Sequence, residues 1–246
     1  MSSDKIVVVT GACGQLGKAI VKDLSERELP LILIDKDKDV LNYEDVNKSI
    51  LAYSFDAGNE ELMAEILETA SGKLGKTIGY LLYCAGIMSY GSIMEEPAEK
   101  YLDTFRQNVL NPIIATKCVL PYMMKNKFGR ILYVSSVFSE ITRKNFSSYS
   151  ISKAGLKAFM ETTVKEYSEY NISANCIAPG LMRTKFINKF LASMMEDKNL
   201  VDSYALLPRV FVKVRETARL CISVLLDYEA INGQTIVIDN GYSKMV

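Results

Sequence analysis

Seven strand-length apolar runs alternate with helical segments along this chain, and that alternation constrains its folding more than any other feature. The runs are Lys5-Thr10, Pro30-Asp35, Leu51-Phe55, Ile78-Cys84, Arg130-Ser135, Ile172-Ala178 and Gln234-Asp239. Most are apolar at consecutive positions, as strands buried on both faces must be. Between them, sets such as Leu16/Ala19/Ile20/Leu24 and Leu62/Ile66/Ala70 recur at the three- and four-residue spacing of one helical face. Strand followed by helix throughout predicts a doubly wound, seven-stranded parallel sheet with helices on both faces. No repeat, low-complexity tract or linker interrupts the pattern, so residues 1–246 read as one domain, with one irregular stretch at 181–209.

Composition then narrows the chemistry. The chain has no histidine, which excludes Ser-His-Asp and Cys-His machinery and any His-ligated catalytic metal; no metal is expected. Acid-base work falls to Tyr, Lys, Asp, Glu or Cys. Lys+Arg and Asp+Glu are both 29, so no net field draws the protein to nucleic acid or to an acidic membrane. The five cysteines are scattered and never form Cys-x-x-Cys, as reduced thiols would be. The opening MSSDKIVVVTG has no apolar run of signal-peptide length, and no stretch approaches the ~20 apolar residues of a membrane span. A soluble, cytoplasmic protein is the expectation.

Ligands of doubly wound sheets bind beyond the carboxyl ends of the strands, so the residues that end strands are the candidates for function. After the first run comes Thr10-Gly11-Ala12-Cys13-Gly14-Gln15-Leu16-Gly17, opening into a helix. Glycines there let the backbone turn sharply and approach a pyrophosphate held on the positive helix end, the arrangement of a Rossmann-type dinucleotide site. Asp35 ends the next strand, 18 residues beyond Gly17. Its carboxylate can accept both ribose hydroxyls of an adenosine and would repel a 2′-phosphate, which favours NAD over NADP. Lys36 complicates this reading, because a cation there can receive that phosphate.

Gly129-Arg-Ile-Leu-Tyr-Val-Ser-Ser136 is a strand ending in two serines. Tyr149 follows thirteen residues later, with Lys153 one helical turn on, on the same face. With 14 tyrosines in the chain, a bare Tyr-x-x-x-Lys arises about once by chance. Here it stands in the right context. Together these motifs resemble the short-chain dehydrogenase/reductase family, specifically its short single-domain branch, over the whole chain.

The resemblance implies a catalytic set of Asn108, Ser136, Tyr149 and Lys153. It implies dinucleotide contacts from Gly11, Gly14, Gln15, Leu16 and Gly17, from Asp35, from Asp56 and Ala57, and from Cys84, Ala85 and Gly86. Tyr149, Lys153, Pro179, Gly180, Met182 and Thr184 would hold the nicotinamide half. The implied activity is NAD(H)-dependent exchange between a ketone and a secondary alcohol of a small-molecule substrate. Tyr149 transfers the proton, its pKa lowered by the Lys153 ammonium together with the oxidised nicotinamide. Residues 181–209 fall at the family's substrate lid. The helix 149–170 shows Ala154, Ala158, Phe159, Met160, Thr163 and Val164, a surface the family uses to form homodimers and homotetramers.

Three positions depart from the family pattern. Gly14 and Gln15 give a glycine spacing more like the family's larger branch, which keeps an NAD-using epimerase or dehydratase open as an alternative. A non-catalytic dinucleotide-binding regulator is another. Tyr83-Cys84 replaces an asparagine pair, removing a strand-anchoring amide, and Asn240 replaces a glycine, a change expected to bear on subunit packing. Finally, Pro112 has no N–H for the carbonyl of Asn108, so the long helix 99–126 should bend between them. The freed carbonyl would hold a water beside Lys153.

Overall fold

The computed structural model describes residues 4–43, 48–184 and 211–245. Seven strands, β1 (Lys5–Thr10), β2 (Leu31–Asp35), β3 (Ile50–Ser54), β4 (Thr77–Tyr83), β5 (Gly129–Val134), β6 (Ile172–Pro179) and β7 (Thr235–Ile238), form one sheet. Its order is β3-β2-β1-β4-β5-β6-β7, with every pair parallel. Each strand lies within a residue or two of its sequence expectation. Consecutive residues serve opposite faces, which is why the runs are apolar throughout. Ile6, Val8, Ile32 and Ile34 enter one core, and Val7, Val9, Leu31 and Leu33 enter the other.

Helices α1 (Gln15–Ser25), α2 (Glu60–Leu74), α3 (Ala98–Phe105), α4 (Asn111–Lys125), α5 (Ser147–Tyr167), α6 (Val214–Leu226) and the short α7 (Tyr242–Met245) complete the described part. α2, α4 and α5 cover the first core through Met63, Leu67, Val119, Met123, Leu156 and Met160. α1 and α6 cover the second through Leu16, Ile20, Leu24, Ala218 and Ile222. Each fully buried Val, Leu or Ile contributes about 1.5–3 kcal/mol relative to exposure, so the two faces together fix the sheet between helical layers.

The segment expected as one long bent helix is α3, a π-helical turn over Arg106–Leu110, and α4. In the π turn the Asn111 N–H reaches back five residues to the Arg106 carbonyl. The irregularity falls directly before Pro112, whose missing N–H cannot continue an α-helical ladder across it.

One expectation is corrected here. On α5, Met160 and Thr163 are buried in the core and Phe159 packs against it, so they offer no surface to a partner. The apolar residues of α5 that remain exposed are Ile151, Ala154 and Ala158; Leu102 and Phe105 of α3 are exposed too, and Leu102 borders a shallow depression shared with Ile151. At Asn240 the φ is +54°, a left-handed value that glycine adopts freely and asparagine tolerates well, and its amide donates to the Phe211 carbonyl. Of the expected lid, residues 185–209 lie outside the described residues.

Candidate active site

The strand order reverses between β1 and β4, and the crevice opens beyond their carboxyl ends. Gly11, at φ +72°, turns the chain out of β1 so closely against β4 that a side chain there would lie 2.6 Å from the Ala85 nitrogen. The glycine turn and Cys84-Ala85-Gly86 thus form adjoining walls of a cleft of about 760 Å³. Among the residues expected from the sequence, Gly11, Gly14, Gln15, Leu16, Gly17, Asp35, Asp56, Ala57, Cys84, Ala85 and Gly86 line one side of it. Ser136, Tyr149, Lys153, Pro179, Gly180, Met182 and Thr184 also line it. Asn108 alone stands behind the wall, fully buried.

At the inner end, β5 delivers Ser136 and α5 delivers Tyr149 and Lys153. The Ser136 hydroxyl accepts from the Phe138 N–H, capping a short 3-10 turn, and hydrogen-bonds Tyr149. It serves the strand end and the cleft at once. The Lys153 amine donates to the Val134 carbonyl at 3.0 Å and lies 5.8 Å from the centre of the Tyr149 ring. Two ammonium protons remain for other partners.

Asn108 is fixed by its side chain. Its Oδ1 accepts from the Ile87 N–H at 2.8 Å, and its Nδ2 donates to the Ile87 carbonyl and to the Ser152 hydroxyl. The π turn is therefore tied to the strand end after β4 and to α5. A Cβ on Gly86 would lie 2.9 Å from Asn108 Oδ1 and 3.5 Å from Lys153 Nζ, so the two side chains border the same glycine.

Burial sets the electrostatics of the protein's own groups here. Burial pushes the Tyr149 phenol up to about 12, and the Ser136 hydrogen bond only partly offsets it. Burial likewise lowers Lys153 to about 8, against smaller opposing effects of Cys176 and Cys84. With the protein's own groups alone, desolvation is the larger influence on the Tyr149 phenol. Tyr149 is a neutral phenol across ordinary pH, poised to donate a proton.

At the outer end, Asp35 Oδ2 accepts from the Cys13 N–H at 2.8 Å and Oδ1 from the Asp37 N–H at 3.0 Å, so the carboxylate is anchored between the glycine turn and the chain leaving β2. Burial raises the Asp56 carboxyl, but Lys36 and the Gly58 N–H more than compensate and hold it below its usual range. Gln107 and Asn111 also line the cleft here and were not found from the sequence. Their only sequence signal is their place four residues apart beside Asn108, where a cleft-facing role shows only once the π turn is known.

The start of α1 faces this cleft with Gly14 as its cap, no side-chain hydrogen bond and no acid in its first turn. An unneutralised helix N-terminus behind a glycine turn fits a dinucleotide pyrophosphate. Fold and site together define an α/β oxidoreductase of the dinucleotide-binding class. The model of the short chain dehydrogenase family matches residues 5–194, and the chain belongs to that family.

An NAD-dependent glycerol dehydrogenase of Listeria innocua is 26% identical over 245 residues, covering 98% of this chain and 94% of that protein. Among solved structures, levodione reductase superposes with a TM-score of 0.87 at 20% identity, covering 98% of both chains. ElxO with NADP bound does so at 0.85 and 22% identity, covering 98% of this chain and 99% of that one. At those identities the structures speak for the fold. Among the described residues no helix is long and apolar enough to cross a membrane, and no group of three or more His, Cys, Asp or Glu could hold a metal ion.

Proposed function

We propose that this single-domain chain is a cytoplasmic NAD(H)-dependent reductase/dehydrogenase that interconverts a ketone and a secondary alcohol. The convergence of Ser136, Tyr149 and Lys153 on the inner end of the cleft carries this reading. When bound, the nicotinamide supplies or takes up the hydride. The chain's residues do the rest. Ser136 hydrogen-bonds the substrate oxygen and holds it against Tyr149. Tyr149 gives its proton to that oxygen in reduction and takes it back in oxidation. Lys153 binds the nicotinamide ribose with its spare protons, and its positive charge favours the phenolate whenever Tyr149 has given up the proton. Asn108 is a positioning residue, and its backbone carbonyl holds a water that passes protons between Lys153 and solvent.

One of these proteins is NAD-dependent by name and another holds NADP, so the reading rests on the chain's own residues. Asp35 at the ribose position supports NAD(H). The exposed apolar faces of α3 and α5 support a homodimer or homotetramer built on Leu102, Phe105 and Ile151. Assaying a panel of ketones, hydroxy acids and sugar derivatives by nicotinamide absorbance with each cofactor tests the activity. Light scattering at micromolar concentration tests the assembly, and a monomer would contradict it.

A further inference from the structure

Four side chains from three separate segments close a hydrogen-bonded ring at the outer end of the cleft. Lys36 Nζ donates to Asp56 Oδ2 at 2.8 Å and to Gln107 Oε1 at 2.9 Å. Asn111 Nδ2 donates to Asp56 Oδ1 at 2.9 Å and, more weakly, to Gln107 Oε1 at 3.4 Å. All four residues line the cleft. The ring is tightly fitted, because a Cβ on Gly58 would run into the Asn111 side-chain amide. Asp56 is further held by the Gly58 N–H at 2.9 Å.

The cation of this ring is the residue next to Asp35. A free lysine at that point is a ready receptor for a ribose 2′-phosphate and would work against the discrimination that Asp35 provides. Here two of its three protons are already committed, and the carboxylate beside it cancels its charge. We propose that Asp56 and Gln107 are specificity-determining residues acting through Lys36. They hold its ammonium away from the 2′ position of the adenosine ribose, so that the cleft rejects NADP(H) although a lysine adjoins Asp35. The inference rests on the NAD(H) reading above and explains how that reading survives Lys36. Gln107 contributes a neutral acceptor, so its effect comes from restraint of Lys36. Asp56 contributes both restraint and charge.

The test titrates the full-length protein with NADH and NADPH by nicotinamide fluorescence and follows the ratio of the two Kd values. A merely structural defect, or a lost adenine contact, moves both affinities together and leaves the ratio alone. An exposed ion pair of this kind is worth up to about 1 kcal/mol. Asp56→Asn is therefore expected to shift the ratio about fivefold towards NADPH, and Gln107→Leu about twofold. Both shifts should vanish when Lys36→Met is added, and Lys36→Met alone should move the ratio less than about twofold, because the lysine is already occupied. A wild-type protein that prefers NADPH would overturn the NAD(H) reading itself. A wild type that prefers NADH, with a ratio unmoved in both ring variants, would overturn the latch and leave that reading standing. A shift in Asp56→Asn that persists without Lys36 would also overturn it, by assigning the effect to direct repulsion.

Discussion

At the inner end of the cleft Tyr149 and Lys153 are buried, and burial sets their protonation, one pushed up to about 12 and the other down to about 8. At the outer end Lys36 and Asp56 keep 53% and 41% of their side-chain surface in solvent and pair directly, and Asp56 is drawn downward although burial opposes it. The same cleft thus holds a dry region, where the protein suppresses charge, and a wet one, where it pairs charge. A group in the dry region changes the chemistry when it is removed. A group in the wet region changes which ligand is preferred.

The sharpest attempt to break this contrast is Tyr149→Phe. Deleting the phenol removes the acid that hydrogen-bonds Ser136, and turnover is expected to fall about 10³-fold or more. The dinucleotide Kd should stay within about twofold, because the ring keeps its place in the wall. Stopped-flow turnover and fluorescence titration on one preparation check both halves. A variant retaining a tenth of the activity would mean that the acid lies elsewhere.

Asp35→Ala probes the other end. The wild type should favour NAD(H) by about tenfold in kcat/KM, or about 1.4 kcal/mol, and the variant should lose most of that margin through KM with little change in kcat. If both kcat values collapsed instead, the outer end would be coupled to the chemistry and the contrast would fail.

Burial of Lys153 has a consequence for stability. Its folded pKa lies below that of the unfolded chain, so between about 8 and 10.5 the unfolded state binds more protons and stability contributed by this group rises with pH. Below about 8 the ammonium is buried at full cost. The half-buried Cys84 and the buried Cys176 act in the opposite direction above about 9, since desolvation raises their folded thiol values to about 12. The comparison with Lys153→Met isolates the lysine. The wild type should gain on that variant by on the order of 2 kcal/mol from pH 7 to 10 in denaturant unfolding. A constant difference across that range would show that Lys153 is solvated in the folded protein.

The same contrast explains what the sequence made legible. Strand runs such as Ile6-Val7-Val8-Val9 declare themselves because both faces of a parallel sheet are buried, so the pattern is local. Tyr149 and Lys153 declare themselves because a helix turns four residues into one face. The ring of Lys36, Asp56, Gln107 and Asn111 does not, because its members come together only through the sheet order and the π turn. Lys36 was read as a cation that can receive a phosphate for that reason. The lowered pKa expected for Tyr149 includes the charge of the oxidised nicotinamide, whereas the protein's own groups add a desolvation that a sequence does not display.

The smallest expected effect concerns the missing asparagine before Ala85. Thr10 and Tyr83 face each other across β1 and β4, and the Cys84 N–H donates to the Thr10 carbonyl at 3.1 Å. The Thr10 hydroxyl is fully buried and has no hydrogen-bond partner among the described residues. A desolvated hydroxyl left unpaired costs about 1–3 kcal/mol, and replacing it with a methyl of the same shape removes that cost. Thr10→Val preserves the β-branched side chain that the strand favours. It should therefore raise stability by about 1 kcal/mol, which is about 2–4 °C in Tm for a chain of this size. Cys84→Asn offers the complementary repair, supplying an amide near the same strand ends, and its gain should disappear when Thr10→Val is already present, if the amide pairs with that hydroxyl. A lower Tm for Thr10→Val in differential scanning calorimetry would show that the hydroxyl is satisfied after all, and the strand junction would then need no asparagine to complete it.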